Sequence, residues 1–362
     1  MRDDRTRIGI LTGADLRRGA AGGTRSYVLG LVRFLADEGL GVEIVANGPA
    51  DDLPQGVTAT PVSREHVAST LAFQRALRSW SAREDFARFA LLHLQRPDDL
   101  TALRLQGGCP VVCTLHGDAA RGIRRRRGRV AKAAYLRRER WAVSRFAALI
   151  AVDPSTADLY AQRYPAASER LHTIPVAVED SFARGPEPGP RHDGHVFLFV
   201  GRLSVEKRVD RIIQAVRSSG IPDARLTIAG TGPELSRLVR AATGAAVEFL
   251  GEVPHDTLPA LYQTADALVL ASEYEGLPTV ALEALANGCP VVAPAGCGLE
   301  AVVTDGRGIL VPSLDAFPQA LREVVKLRDS GQRITLPQEY TWSRVGDAIL
   351  AVYRSVVPEG VR

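Results

Sequence analysis

Phe197-Leu198-Phe199-Val200-Gly201-Arg202-Leu203-Ser204-Val205-Glu206-Lys207-Arg208 reads as a buried parallel strand that runs through a glycine turn into a helix over 209–217. Four apolar residues in succession, without alternation, suit a strand covered on both faces. Gly201 lets backbone approach a ligand closely. Arg202 can fork two oxygens, and Lys207 adds a mobile point charge five residues on. The helix dipole disfavours such a cationic helix start as a bare solvated surface but suits an anion such as phosphate between the two. A second strand, 225–229, runs into Gly230-Thr231-Gly232-Pro233-Glu234. That turn lacks the third glycine and the following acid of a dinucleotide fingerprint, so alone it is weak evidence.

Outward from this unit, strands alternate with helices. Apolar runs predict strands at 7–12, 42–46, 90–95, 110–115, 148–152 and 171–174. A second set falls at 196–200, 225–229, 247–250, 267–270, 290–293 and 308–311. The alternation is that of parallel sheets with helices on both faces. Pro186, Pro188 and Pro190 mark a linker at 181–194 between a first domain, 1–180, and a second, 195–341. A chain of 362 residues with 46% apolar content is long enough for two such cores. No run reaches 18 apolar residues, and the charged Met1-Arg2-Asp3-Asp4-Arg5 leads straight into a strand without a signal-peptide core, so the expected location is cytoplasmic. Cys109, Cys113, Cys289 and Cys297 lack paired metal-ligand spacing and read as reduced thiols.

Downstream, Glu275-Gly276-Leu277-Pro278-Thr279-Val280-Ala281-Leu282-Glu283 places one acid in a Gly/Pro turn and a second, eight positions on, in a helix over 279–286. Eight positions of helix separate such carboxylates by about 12 Å along one side. That suits a grip at two points on an elongated polar ligand, with the N–H groups of Thr279 and Val280 aimed at an anion between them. A nucleotide sugar has this layout. A turn Glu and a solvent-facing helix Glu would give the same spacing.

Gly-Arg-Leu…Glu-Lys from Gly201, Gly-Thr-Gly-Pro-Glu from Gly230, Phe249-Leu250-Gly251, Ala265-Asp266, Ser272-x-x-Glu-Gly-x-Pro and the run from Glu283 to Val292 occur in this order. Together they resemble the retaining glycosyltransferases of family four, densely from 196 to 312 and more loosely before. The resemblance implies the GT-B fold, two Rossmann-like doubly wound α/β domains facing across a cleft, with a last helix, 342–358, returning to brace the first domain. It also implies roles. Arg202 and Lys207 neutralise a departing diphosphate, Glu283 holds ribose hydroxyls, and Glu275 grips the transferred sugar with the help of Gly276, Leu277, Thr279 and Val280. The base lies near Leu250 and Val253, close to Gly230. The reaction implied is transfer of a hexose-type sugar from a UDP- or GDP-type donor to an acceptor hydroxyl. No Asp-x-Asp is present, so no metal is expected. Glu273 and Leu277-Pro278 depart from the common pattern, and the proline removes one amide donor.

Two features of the first half bear on the acceptor. Gly22 and Gly23 lie in a glycine-rich loop, 19–25, before a helix over 27–36, where an acceptor or phosphate could approach. His116 stands at a strand exit before Gly117, a place where family members carry a histidine that contacts the donor sugar. From 121 to 140, ten cations face one acid, Glu139, giving +9 in a chain of net charge +4. Val130, Tyr135, Leu136 and Trp141 interleave them. One reading is an amphipathic helix on an anionic membrane or against a lipid-linked acceptor; the other is a solvated face. Aromatics of this kind resemble helix core more than a stacking platform, which disfavours nucleic acid. The basic run favours a role in cell-surface polysaccharide or glycolipid synthesis, with a small soluble acceptor such as an antibiotic precursor as the alternative. A non-catalytic nucleotide-sugar sensor would be expected to lose a charged donor ligand, and an epimerase would not carry the two-glutamate pattern.

Overall fold

The computed structural model describes residues 7–17, 22–51, 53–105, 108–179, 182, 194–272, 277–304 and 306–357, with Arg126 described in its backbone only. The chain forms two compact units, Met1–Ala177 together with Trp342–Arg362, and Val178–Thr341.

The first unit is a seven-stranded sheet in the order β3-β2-β1-β4-β5-β6-β7. Its strands are β1 (Arg7–Thr12), β2 (Gly41–Ala46), β3 (Val57–Pro61), β4 (Phe89–Leu94), β5 (Val111–Leu115), β6 (Ala148–Ala151) and β7 (Leu171–Thr173). Every pairing is parallel. Helices α1 (Gly23–Asp37), α2 (Thr70–Ser81), α3 (Ala119–Val143) and α4 (Pro154–Arg163) connect them. The core strands are mostly apolar because both faces are covered, with a few buried polar residues such as Glu43, His93 and Thr114. β3 lies outside the strands expected from sequence. It is a half-exposed edge strand ending in proline, so it lacks a continuous apolar run.

The second unit is a six-stranded parallel sheet in the order β10-β9-β8-β11-β12-β13. It is built from β8 (His195–Val200), β9 (Ala224–Ala229), β10 (Val247–Gly251), β11 (Ala267–Val269), β12 (Val291–Pro294) and β13 (Gly308–Val311). Its helices are α5 (Val209–Ser218), α6 (Leu235–Ala241), α7 (Leu258–Thr264), α8 (Thr279–Ala286) and α9 (Phe317–Asp329). In each sheet the strand order reverses at one place, between β1 and β4 and between β8 and β11. Ligands of doubly wound sheets bind beyond the carboxyl ends of the strands at such points.

The last helix, α10 (Trp342–Val356), packs on α1 of the first unit. The contact is reciprocal: a Cβ on Gly30 would overlap the Trp342 indole, and one on Gly346 would overlap the Phe34 ring. The first unit ends at Ala177, not at residue 180. Val178 pairs with Thr341 and donates its N–H to the Tyr340 carbonyl, and the buried Phe182 packs on Tyr262. The linker expected at 181–194 lies outside the described residues except for Phe182 and Gly194. No helix among the described residues is long and apolar enough to cross a membrane.

Candidate active site

In the second unit, the turns after β8, β9 and β10 interlock through backbone. Leu203 N–H donates to Thr231 O (2.8 Å), Gly230 N–H to Gly251 O (2.7 Å) and Glu234 N–H to Leu203 O (3.1 Å). A Cβ on Gly230 would overlap the Gly201 carbonyl, and one on Gly232 the Leu203 carbonyl. Gly201 (φ 149°) and Gly230 (φ 139°) both lie in the range that favours glycine. The Gly-Thr-Gly turn is therefore explained by close packing of two loops.

On this frame Arg202 is exposed and Lys207 ends a 3-10 turn, Val205–Lys207. Ser204, between them, is buried, and its hydroxyl has no partner among the described residues. Arg208 follows in the left-handed conformation (φ 47°, ψ 42°) at the start of α5. That backbone is uncommon for a side chain larger than Asn or Asp. Leu250 and Val253, on and just past β10, are half-buried.

Glu283 is buried in α8. Its Oε2 accepts from the Tyr262 hydroxyl (2.9 Å), and Oε1 faces His255 Nε2 at 3.4 Å. Burial, followed by the neighbouring Glu283 charge, pushes the Tyr262 phenol well above its ordinary value, so it remains a donor. A carboxylate has about four lone-pair sites, which leaves Glu283 capacity beyond these two contacts. Thr279 and Val280 open α8 half-buried after Pro278, and Leu277 is buried. Glu273, Glu275 and Gly276 lie outside the described residues.

In the first unit, Gly22 (φ 151°) precedes α1 and Gly23 begins it, while 18–21 lie outside the described residues. His116 follows β5, with Nε2 2.8 Å from Gln95 Oε1 and its ring 5.1 Å edge-on from Tyr27. Burial pushes the His116 imidazole down to about 4, so it is neutral at pH 7 and better suited to hydrogen bonding than to taking a proton. Behind it, His93 is fully buried. Its Nε2 meets Thr114 Oγ1 (2.7 Å) and its Nδ1 meets the Tyr353 hydroxyl of α10 (2.5 Å).

The basic segment forms most of α3, which is interrupted at Gly128 (φ 83°, ψ −174°). Two of its charges turn inward. Arg138 donates to Gln74 Oε1 (2.7 Å) and to Thr101 Oγ1. Glu139 is fully buried and accepts from Tyr135 (2.9 Å), Tyr160 (2.7 Å), Tyr164 (2.6 Å) and Arg163 (3.1 Å). Arg163 also pairs with Asp118 (3.2 Å), the cap of α3, whose side chain accepts from Ala120 N–H. Outward, Arg124, Arg127, Arg129, Arg137 and Arg140 are exposed. So are Val130 (85%) and Trp141 (43%), the latter with the Arg145 guanidinium 4.1 Å over its ring.

The profile of the family described as "Glycosyltransferase Family 4" matches residues 21–182, and that of "Glycosyl transferases group 1" matches 184–335. The chain is a family four glycosyltransferase of the GT-B fold. D-inositol 3-phosphate glycosyltransferase of Geodermatophilus obscurus is 29% identical to this transferase, over 94% of this chain and 86% of the relative. GDP-mannose-dependent alpha-(1-6)-phosphatidylinositol dimannoside mannosyltransferase of Mycobacterium tuberculosis is 34% identical over 43% of each chain. The solved sucrose-phosphate synthase of Thermosynechococcus elongatus shares the fold at a TM-score of 0.78, with 22% identity over 97% of this chain and 99% of its own.

The structure brings Arg202, Lys207 and Gly230 to neighbouring turns of the transferase's second unit, and it places His116 after β5 and Gly22 and Gly23 at the start of α1 in the first. Sequence reasoning missed Gln95, Ser204, Arg208, His255 and Tyr262. Gln95 directly follows a buried strand, two residues after His93, and that position was the one available signal. Arg208 carries none, because a left-handed arginine looks like any other. His255 and Tyr262 meet Glu283 only through tertiary packing.

Proposed function

We propose that this enzyme transfers a hexose-type sugar from a nucleoside diphosphate sugar, of UDP or GDP type, to an acceptor hydroxyl with retention of configuration. The observation that carries this reading is the interlocked turn bearing Arg202 and Lys207 at the reversal point of the second sheet, in the same unit in which Glu283 is buried and oriented. Arg202 and Lys207 neutralise the leaving diphosphate, and the hydroxyl of Ser204 lies between them in sequence. Glu283 takes the ribose hydroxyls, and backbone near Leu250 and Val253 takes the base. Glu275 grips the sugar with N–H groups at Leu277, Thr279 and Val280, and neutral His116 hydrogen-bonds a sugar hydroxyl. The protein's main contribution is then electrostatic, stabilising the departing phosphate and an oxocarbenium-like sugar. The leaving phosphate itself helps deprotonate the acceptor, with no separate nucleophile and no metal.

For the acceptor, the exposed face of α3 favours a lipid-linked molecule at an anionic membrane surface, in glycolipid or cell-surface polysaccharide synthesis, reached by a cytoplasmic enzyme docked peripherally. Gly22 and Gly23 at the start of α1 suit a phosphate on that acceptor. A soluble phosphorylated acceptor is the second reading, favoured by the similarity along 94% of the chain to a transferase named for D-inositol 3-phosphate.

A thermal-shift series with UDP, GDP, ADP, TDP and their sugars, without added metal, tests the donor reading. A ligand at 100 times its Kd stabilises by about 2.7 kcal/mol. One nucleotide should raise the melting temperature; no response to any of them overturns the reading.

A further inference from the structure

His255 stands between two carboxylates of the second unit. Its Nε2 faces Glu283 Oε1 at 3.4 Å and its Nδ1 faces Glu179 Oε2 at 4.0 Å. Phe182 lies against the imidazole with ring centroids 4.9 Å apart and also packs on Tyr262, whose hydroxyl holds the other oxygen of Glu283. Glu179 directly follows Val178, which pairs with Thr341, so the arrangement joins Glu283 to the place where the chain enters and leaves this unit.

A neutral imidazole has one N–H. It can donate to Glu283 only by leaving Nδ1 as a lone pair turned toward Glu179; the imidazolium donates to Glu283 and at the same time presents a positive N–H toward the Glu179 carboxylate. We infer that His255 is a positioning residue of the donor site, holding the Glu283 carboxylate against Tyr262, and that its protonated form, with Glu179 as an ion-pair partner 4.0 Å away, strengthens this hold. The inference rests on the reading of Glu283 as the ribose ligand. Among the described residues, the charged and titratable groups facing the ring include Glu179, Glu283 and, through Glu283, Tyr262; Asp256 is its chain neighbour. Because a charge-assisted hydrogen bond is stronger than a neutral one, nucleotide affinity should fall as pH rises and the imidazolium is lost.

The test is calorimetric titration of the full chain with UDP and GDP from pH 5.5 to 8.5, for the native protein, His255→Gln, Glu179→Gln and Glu283→Gln. The ratio of variant to native Kd cancels the nucleotide's own ionisation. For His255→Gln this ratio should be about 5- to 10-fold at pH 5.5, the scale of one charge-assisted bond, and approach one at pH 8.5. Glu179→Gln, which keeps the side chain's size and removes only its charge, should reduce the pH dependence without abolishing binding. A ratio constant across pH for both variants overturns the inference. Unchanged binding by Glu283→Gln would instead overturn the ribose reading on which it rests.

Discussion

The Tyr353 hydroxyl of α10 lies 2.5 Å from Nδ1 of His93 on β4, and both side chains are fully buried. Thr114 Oγ1 engages the other ring nitrogen, and the Tyr27 hydroxyl lies 3.3 Å beyond it. The last helix is thus fixed to the first sheet by a polar chain as well as by the Gly30–Trp342 contact. Tyr353→Phe keeps the ring packing and leaves a buried nitrogen unpaired, which costs about 1–3 kcal/mol. Urea unfolding followed by a signal from the first unit should show that loss. An unchanged midpoint would mean that the bond contributes nothing net.

Acid should destabilise the first unit. Burial pushes His93 down to about 3 and His116 to about 4, against 6.5 in the unfolded chain. Between pH 4 and 6.5 the unfolded state therefore binds two protons that the folded state refuses. Stability present above that window is lost as pH falls through it. Asp99 opposes this. Burial, and then Asp98 beside it, push its carboxyl up to about 7 from 3.8, so the folded state holds one extra proton and this contribution is lost as pH rises. The net is one proton, about 1.4 kcal/mol per pH unit. Asp99→Asn imitates the protonated acid and removes the opposing contribution. Melting temperatures between pH 5 and 6.5 should then depend on pH more steeply in the variant; equal slopes would refute the assignment of a proton to Asp99.

Much of this was legible in sequence for a physical reason. Doubly covered parallel strands are mostly apolar, so β1 is found at 7–12 as expected, and the helix expected at 279–286 is α8. Burial of Glu283 was not legible, because Tyr262 and His255 reach it from another helix and another turn. The cationic run was legible as charge but not as geometry. Only the fold reveals that Arg138 and Glu139 point inward.

Gly230→Ala should destabilise the second unit. Its methyl would strike the Gly201 carbonyl in a backbone that already disfavours side chains, a cost of roughly 2–4 kcal/mol. Nucleotide protection in a thermal shift should weaken with it, because the displaced turn carries Arg202. An alanine variant with native melting temperature would show that the two loops separate freely.

Lys207→Ala and Glu275→Ala should each abolish transfer while leaving the melting temperature near native. Lys207 ends a short surface turn, so no core packing is lost with it. Radiolabelled sugar transfer from the nucleotide found by thermal shift is the readout. Near-normal turnover in either variant would sink the corresponding role.

The exposed face of α3 predicts a separation between lipid binding and folding. Arg124, Arg127 and Arg129 are exposed and precede the 85%-exposed Val130, whereas Arg138 points into the unit toward Gln74 and Thr101. A cation near an anionic bilayer contributes about 1 kcal/mol. Replacing the three outward arginines by serine should therefore weaken binding to anionic liposomes roughly 100-fold and flatten its salt dependence, with no change in melting temperature. Arg138→Ala should do the reverse, because it strips buried partners from Gln74 and Thr101 while leaving the outer face intact. Liposome co-sedimentation at two salt concentrations, alongside thermal melts, distinguishes the two. If the triple variant binds liposomes like the native protein, the outward arginines are a solvated face and the acceptor reading shifts to the soluble phosphorylated molecule.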